Sequence, residues 1–116
     1  MSDKTKVNLD LTRTGNVGVI CINNNDVQLA KKIDLYATIA WAIEPDYCAG
    51  WEYFIFFAKK LGLDYMIVWD NAGGHESCDK EYIPMIDANN VRFEIGVNYE
   101  VEFRKLLQQF HDEEDQ

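Results

Sequence analysis

The chain has 116 residues, 47% of them apolar, which suits one domain with a true core and argues against wholesale disorder. Eleven basic residues against twenty acidic ones give a net charge of −9, which disfavours direct contact with a nucleic-acid backbone, since that needs a positive footprint. The best candidate for a membrane span, LYATIAWAI at 35–43, has only nine residues and is too short to cross a bilayer.

The opening MSDKTKVNLDL has acids where a signal peptide has bases and lacks an apolar stretch, so a cytoplasmic location is expected. KVNLDLT alternates, with Val7, Leu9 and Leu11 on one side, as a half-buried strand does. RTGNV carries turn residues, and VGVICI at 17–22 is β-branched and nearly continuous, so the two strands are expected to pair as a hairpin. The NNND run at 23–26 lacks the glycines of a phosphate-binding loop. Asn25 with Gln28 fits a capping box instead.

Leu29, Ile33, Tyr36, Ala37, Ala40 and Trp41 then recur at helical spacing, flanked by Leu35, Ile39 and Ile43, until Pro45 ends the helix. Asp46 is the expected cap of a second helix, which Gly62 should stop. Its apolar stripes are Tyr47, Trp51, Phe54, Ile55 and Ala58 on one side and Tyr53, Phe56 and Phe57 on the other. LDYMIVW at 63–69 reads as a strand. EYIPMID at 81–87 suits a short edge strand because Pro84 has no amide proton, and NVRFEIGV at 90–97 alternates cleanly. Asn98 should cap a last helix with the stripe Tyr99, Phe103, Leu106, Leu107 and Phe110, fraying before Asp112 because clustered acids oppose the helix dipole.

The order ββααβ(β)βα implies an α+β fold: a single domain at 1–111 with a mostly antiparallel sheet of four to five strands and three helices. Residues 112–116 form an acidic C-terminal tail. The three cysteines, Cys21, Cys48 and Cys78, are odd in number and widely spaced, which predicts reduced thiols.

The loop WDNAGGHESCD at 69–79 offers the most chemistry. Asp70, His75 and Cys78 there would serve a small hydrolase or thiol enzyme. A zinc site wants more ligands, and the nearby supplements are only carboxylates; no CxxC or HExxH occurs. A solvated turn around Gly73 and Gly74 is the simpler reading, and neither a metal nor another cofactor is expected.

Charge distribution favours a different role. Residues 1–60 hold seven bases and seven acids, whereas residues 61–116 hold four bases and thirteen acids, so the whole −9 lies in the second half. The expectation is a small acidic binding protein that masks a basic surface on a partner protein, such as a nuclease or another nucleic-acid-binding protein. It would act as a nucleic-acid mimic, in the manner of immunity proteins and phage-encoded inhibitors. The residues expected to meet the partner are Asp70, Glu76, Asp79, Glu81, Asp87, Glu94, Glu100 and Glu102, with Tyr47, Tyr53 and Tyr82 as aromatic anchors. A structural or homo-oligomeric subunit, using an uncovered sheet face, is the third reading.

Overall fold

The computed structural model describes residues 4–9, 18–23, 26–69, 80–82 and 97–114. Strands β1 (Lys4–Leu9) and β2 (Gly18–Asn23) form the expected antiparallel hairpin, with Val7 opposite Ile20 and Thr5 opposite Ile22. Strand β3 (Tyr65–Trp69) adds to β2, also antiparallel. A three-residue strand, β4 (Lys80–Tyr82), lies parallel to β1, giving the order β3-β2-β1-β4. The class is thus α+β: β1, β2 and β3 form an antiparallel three-stranded unit edged by the parallel β4, and the described residues include three helices, α1 (Val27–Ile43), α2 (Gly50–Leu61) and α3 (Val97–Glu114). The alternating segment at 90–97 lies outside the described residues except for Val97, which opens α3.

Alternation along the strands decides which face is buried. Val7, Leu9, Ile20 and Ile22 belong to the core that packs beneath the helices. Alpha-helical spacing does the same for Ala30, Ile33, Tyr36, Ala37 and Ala40 of α1 and for Phe103, Leu106 and Phe110 of α3. Helix α2 contributes Tyr53, Phe54, Phe57 and Ala58. The core is aromatic at its centre: Tyr36 meets Phe57 edge-on at 6.3 Å, and Phe54 meets Tyr65 of β3 at 5.5 Å. Such geometries favour the ring quadrupoles beyond the area buried.

Helix ends depart from expectation in three places. At the start of α1, Asp26 occupies the cap position with φ −98° and ψ 6° and makes no side-chain cap bond; Asn25 lies outside the described residues. Those dihedrals are far from the extended backbone that swings a cap side chain over the first amides. Helix α2 starts at Gly50 rather than after Asp46, because residues 45–47 form a turn in which Tyr47 N–H reaches Glu44 C=O at 3.2 Å. Ala49 then sits at the cap, and Glu52 Oε2 accepts its N–H at 3.2 Å. That is the half of a capping box that needs no polar cap side chain. Finally, α3 continues to Glu114 instead of fraying before Asp112, so Asp112, Glu113 and Glu114 belong to the helix. Burial of Phe110 and bonds from Gln108 to Asp112 (2.9 Å) and from Lys60 to Glu113 (2.6 Å) offset the unfavourable dipole.

Gly62 stops α2 as expected. Its φ of 78° is left-handed, and Ala58 C=O accepts the N–H groups of both Gly62 and Leu63.

Candidate functional site

The densest polar arrangement among the described residues lies at the corner where α1 turns into α2. Glu44 caps α1 with its N–H on Ala40 C=O at 3.0 Å, and Pro45 prevents the helix from continuing. A carboxylate at a helix C-terminus faces the negative end of the dipole, so it calls for donors from elsewhere. Two arrive. Tyr53, one turn into α2, donates its hydroxyl to Glu44 Oε1 at 2.7 Å. His111 Nε2, near the end of α3, lies 2.9 Å from Oε1 and 3.0 Å from Oε2. A carboxylate only accepts, so that ring nitrogen carries the proton. The Tyr47 ring stands perpendicular to the imidazole at 4.8 Å and packs on Phe110 at 5.6 Å.

Cys48 completes the corner. Its thiol is free and half-buried. Burial, and then a hydrogen bond with Glu52, push its pKa up to about 12, against a hydrogen bond with Tyr53 that acts the other way. Burial and the Glu44 carboxylate likewise raise the Tyr53 hydroxyl far above the usual tyrosine range. Both groups therefore stay protonated at neutral pH and act as donors. A neutral thiol beside acids is a poor nucleophile, since attack needs the thiolate. The corner reads as a junction tying three helices together.

A second junction joins α1 to the start of α3. Tyr36 donates its hydroxyl to Glu102 Oε1 at 2.7 Å, and Lys32 Nζ lies 3.0 Å from the same oxygen. Burial works to raise the Glu102 carboxyl, but Tyr36 and Lys32 together outweigh it and leave the pKa below the ordinary value. On the same stretch of α3, Arg104 reaches back one turn to Glu100 at 2.9 Å.

These contacts place four of the residues expected to meet a partner. Glu100 and Glu102 both lie on α3, and each already has a cation of its own, Arg104 and Lys32 respectively. Tyr47 is 43% exposed, as an anchor must be. Tyr53 corrects the expectation of an exposed ring: it is 0% exposed. Tyr53 points inward beside Phe57 and Phe110, and its hydroxyl is spent on Glu44. The backbone of Glu81 and Tyr82 is placed in β4, opposite Lys6 and Val7. Asp70, Glu76, Asp79, Asp87 and Glu94 lie outside the described residues, as do His75 and Cys78.

Reduced thiols throughout were expected, and that too is corrected. Cys21 is disulfide-bonded and 2% exposed, on the strand face opposite Ile20 and Ile22.

Sequence reasoning passed over Glu44, Cys48 and His111. One signal was present: His111 continues the 103, 107 row of α3 at four-residue spacing, which brings it to the edge of the buried stripe. The contact of His111 with Glu44 spans 67 positions and leaves no trace in local pattern.

An open groove of about 340 Å³ runs between α2 and α3, lined by Glu52, Ile55, Phe56, Lys59, Phe110 and Glu114. Among the described residues no cluster of His, Cys, Asp or Glu is arranged to hold a metal ion, and no helix is long and apolar enough to cross a membrane. No protein-family model, curated protein or solved structure matches the chain.

Proposed function

We propose that the protein is a small acidic binding protein that covers a basic surface on another protein, with a nuclease or other nucleic-acid-binding protein as the natural target. The carrying observation is charge segregation: thirteen acids and four bases in residues 61–116, against an even balance before them. Within that half, α3 carries Asp112, Glu113 and Glu114 at its exposed C-terminal end, where the helix dipole adds to their field; Glu113 pairs with Lys60, which leaves Asp112 and Glu114 as the acids offered to a partner. Opposed charge of this kind speeds encounter and selects against acidic partners. The ion pairs at Glu100 and Glu102 move the expected contact away from the start of α3 and toward its end. The alternating residues 91–96 are retained in this reading as a further strand of the sheet.

A cytoplasmic setting is the other part of the proposal. The Cys21 disulfide bears against it, because reducing compartments disfavour such bonds.

The test is capture of partners by the intact chain from its native host at low and high salt. The purified partner should be basic, its affinity should fall at least about tenfold as salt rises, and the chain should displace nucleic acid from it. An acidic partner, or binding indifferent to salt, rejects the reading.

A further inference from the structure

We infer that the groove between α2 and α3 is where the partner docks, and that its occupant is an apolar side chain carried on a basic, amphipathic segment of that partner. This rests on the basic-partner reading above and gives it a location.

Three observations converge there. First, the floor is apolar: Phe110 is buried at its base, Phe56 is half-buried, and Ile55 is 44% exposed despite lying in the middle of an α2 stripe. An exposed isoleucine beside two phenylalanines, in a space of about 340 Å³, offers a seat for one or two apolar side chains. Second, the rim carries two acids, Glu52 and Glu114, against one base, Lys59. Lys60, the next base along α2, is engaged by Glu113. Third, the C-terminus of α3 adds the negative pole of its dipole beside Glu114. The field over the groove therefore favours a cation flanking the apolar anchor. An acidic or purely apolar segment would leave Glu52 and Glu114 facing like charge or no charge at all.

This geometry matches the mode in which an amphipathic helix lays its apolar face into a groove, with bases along its margin. The start of α3 is a poorer seat, because Glu100 and Glu102 already face Arg104 and Lys32.

The test titrates the isotope-labelled full chain with three synthetic peptides: a helical peptide of leucine and lysine, an all-lysine peptide of equal charge, and the leucine peptide with glutamate in place of lysine. The leucine–lysine peptide should shift amide resonances of residues 52–59 and 110–114, and bind at least about tenfold more tightly than either of the others. Ile55→Asp should weaken that binding about tenfold, as should Glu52→Gln combined with Glu114→Gln. Val101→Asp, at a site 48% exposed on α3, should leave it unchanged. Thermal melts confirm that each variant is folded. Equal binding by Ile55→Asp, or by the all-lysine peptide, overturns the groove while leaving the basic-partner reading intact. Failure of the leucine–lysine peptide to bind at millimolar concentration also overturns the groove. The salt-dependent capture experiment then decides the basic-partner reading separately.

Discussion

The carboxylate of Glu44, at the last turn of α1, accepts the Nε2 proton of His111 at 2.9 Å, joining two residues 67 positions apart. Both side chains are largely shielded from solvent, at 27% exposure for His111 and 24% for Glu44. Loss of one member should therefore matter more than at an open surface pair. His111→Ala is expected to cost about 1–3 kcal/mol by leaving a shielded carboxylate with one donor fewer. Glu44→Ala strands both the imidazole and the Tyr53 hydroxyl and should cost at least as much. Urea melts of the two single variants and the double variant give the coupling energy. Strict additivity would show that the contact contributes nothing.

The hydroxyls of Tyr36 and Tyr53 and the thiol of Cys48 all ionise less readily in the folded chain than in the unfolded one, chiefly through burial. A raised folded pKa favours the fold as long as the group stays neutral. The stabilisation is complete below the unfolded values, about 8.5 for a thiol and 10 for a tyrosine, and is lost as pH rises through the folded ones. Thermal stability should thus be level near neutrality and fall steadily above about pH 8.5. Tyr36 and Tyr53, two of the six tyrosines, should show no phenolate absorbance until the chain unfolds. Smooth titration of all six at the ordinary value would contradict the two buried hydroxyl contacts.

Glu102 behaves in the opposite sense. Its folded pKa is lowered, by Tyr36 and Lys32 acting against burial, so its contribution is present above the ordinary carboxylate pKa and disappears as pH falls through the folded value. Tyr36→Phe should reduce stability by about 1 kcal/mol at neutral pH and flatten the acid limb of the stability curve. An unchanged acid limb would remove Tyr36 as a cause of the shift.

Two neighbours on α2 should respond very differently to truncation. Phe57 is fully buried among Tyr36, Tyr53 and Phe103, and Phe57→Ala should cost about 3–5 kcal/mol. Ile55→Ala, on the exposed side, should stay within about 0.5 kcal/mol. Denaturant midpoints of the two variants check this, and a large loss at Ile55 would mean that the groove is a packed part of the core.

Cys48 should resist alkylation in the native state, because its pKa of about 12 leaves almost no thiolate at neutral pH. Without reductant, one thiol should become reactive on unfolding; with reductant, all three should. Mass spectrometry after each treatment distinguishes these states. Three reactive thiols without reductant would restore the reduced-cysteine expectation.

Some of this architecture is written in local pattern. Alternation at Val7 and Leu9, β-branching at 19–22, the stop at Pro45 and the left-handed Gly62 are each dictated by neighbours a few bonds away, and those features stand where the residues imply. Two apolar stripes on α2 were also legible, but the buried face straddles them: Phe54 and Ala58 come from one, Tyr53 and Phe57 from the other, and Ile55 stays exposed. Which arc of the helix is covered is decided by the elements packed against it. The sequence by itself determined the helices, the hairpin and the acidic excess of residues 61–116, because these depend on residue type and short-range spacing. Only the tertiary structure decided that Glu44, Tyr53 and His111 meet, that Glu100 and Glu102 already hold cations, and that α3 keeps its acidic end helical. Those outcomes come from contacts between separate helices, whose energies have no counterpart in neighbouring positions of the chain.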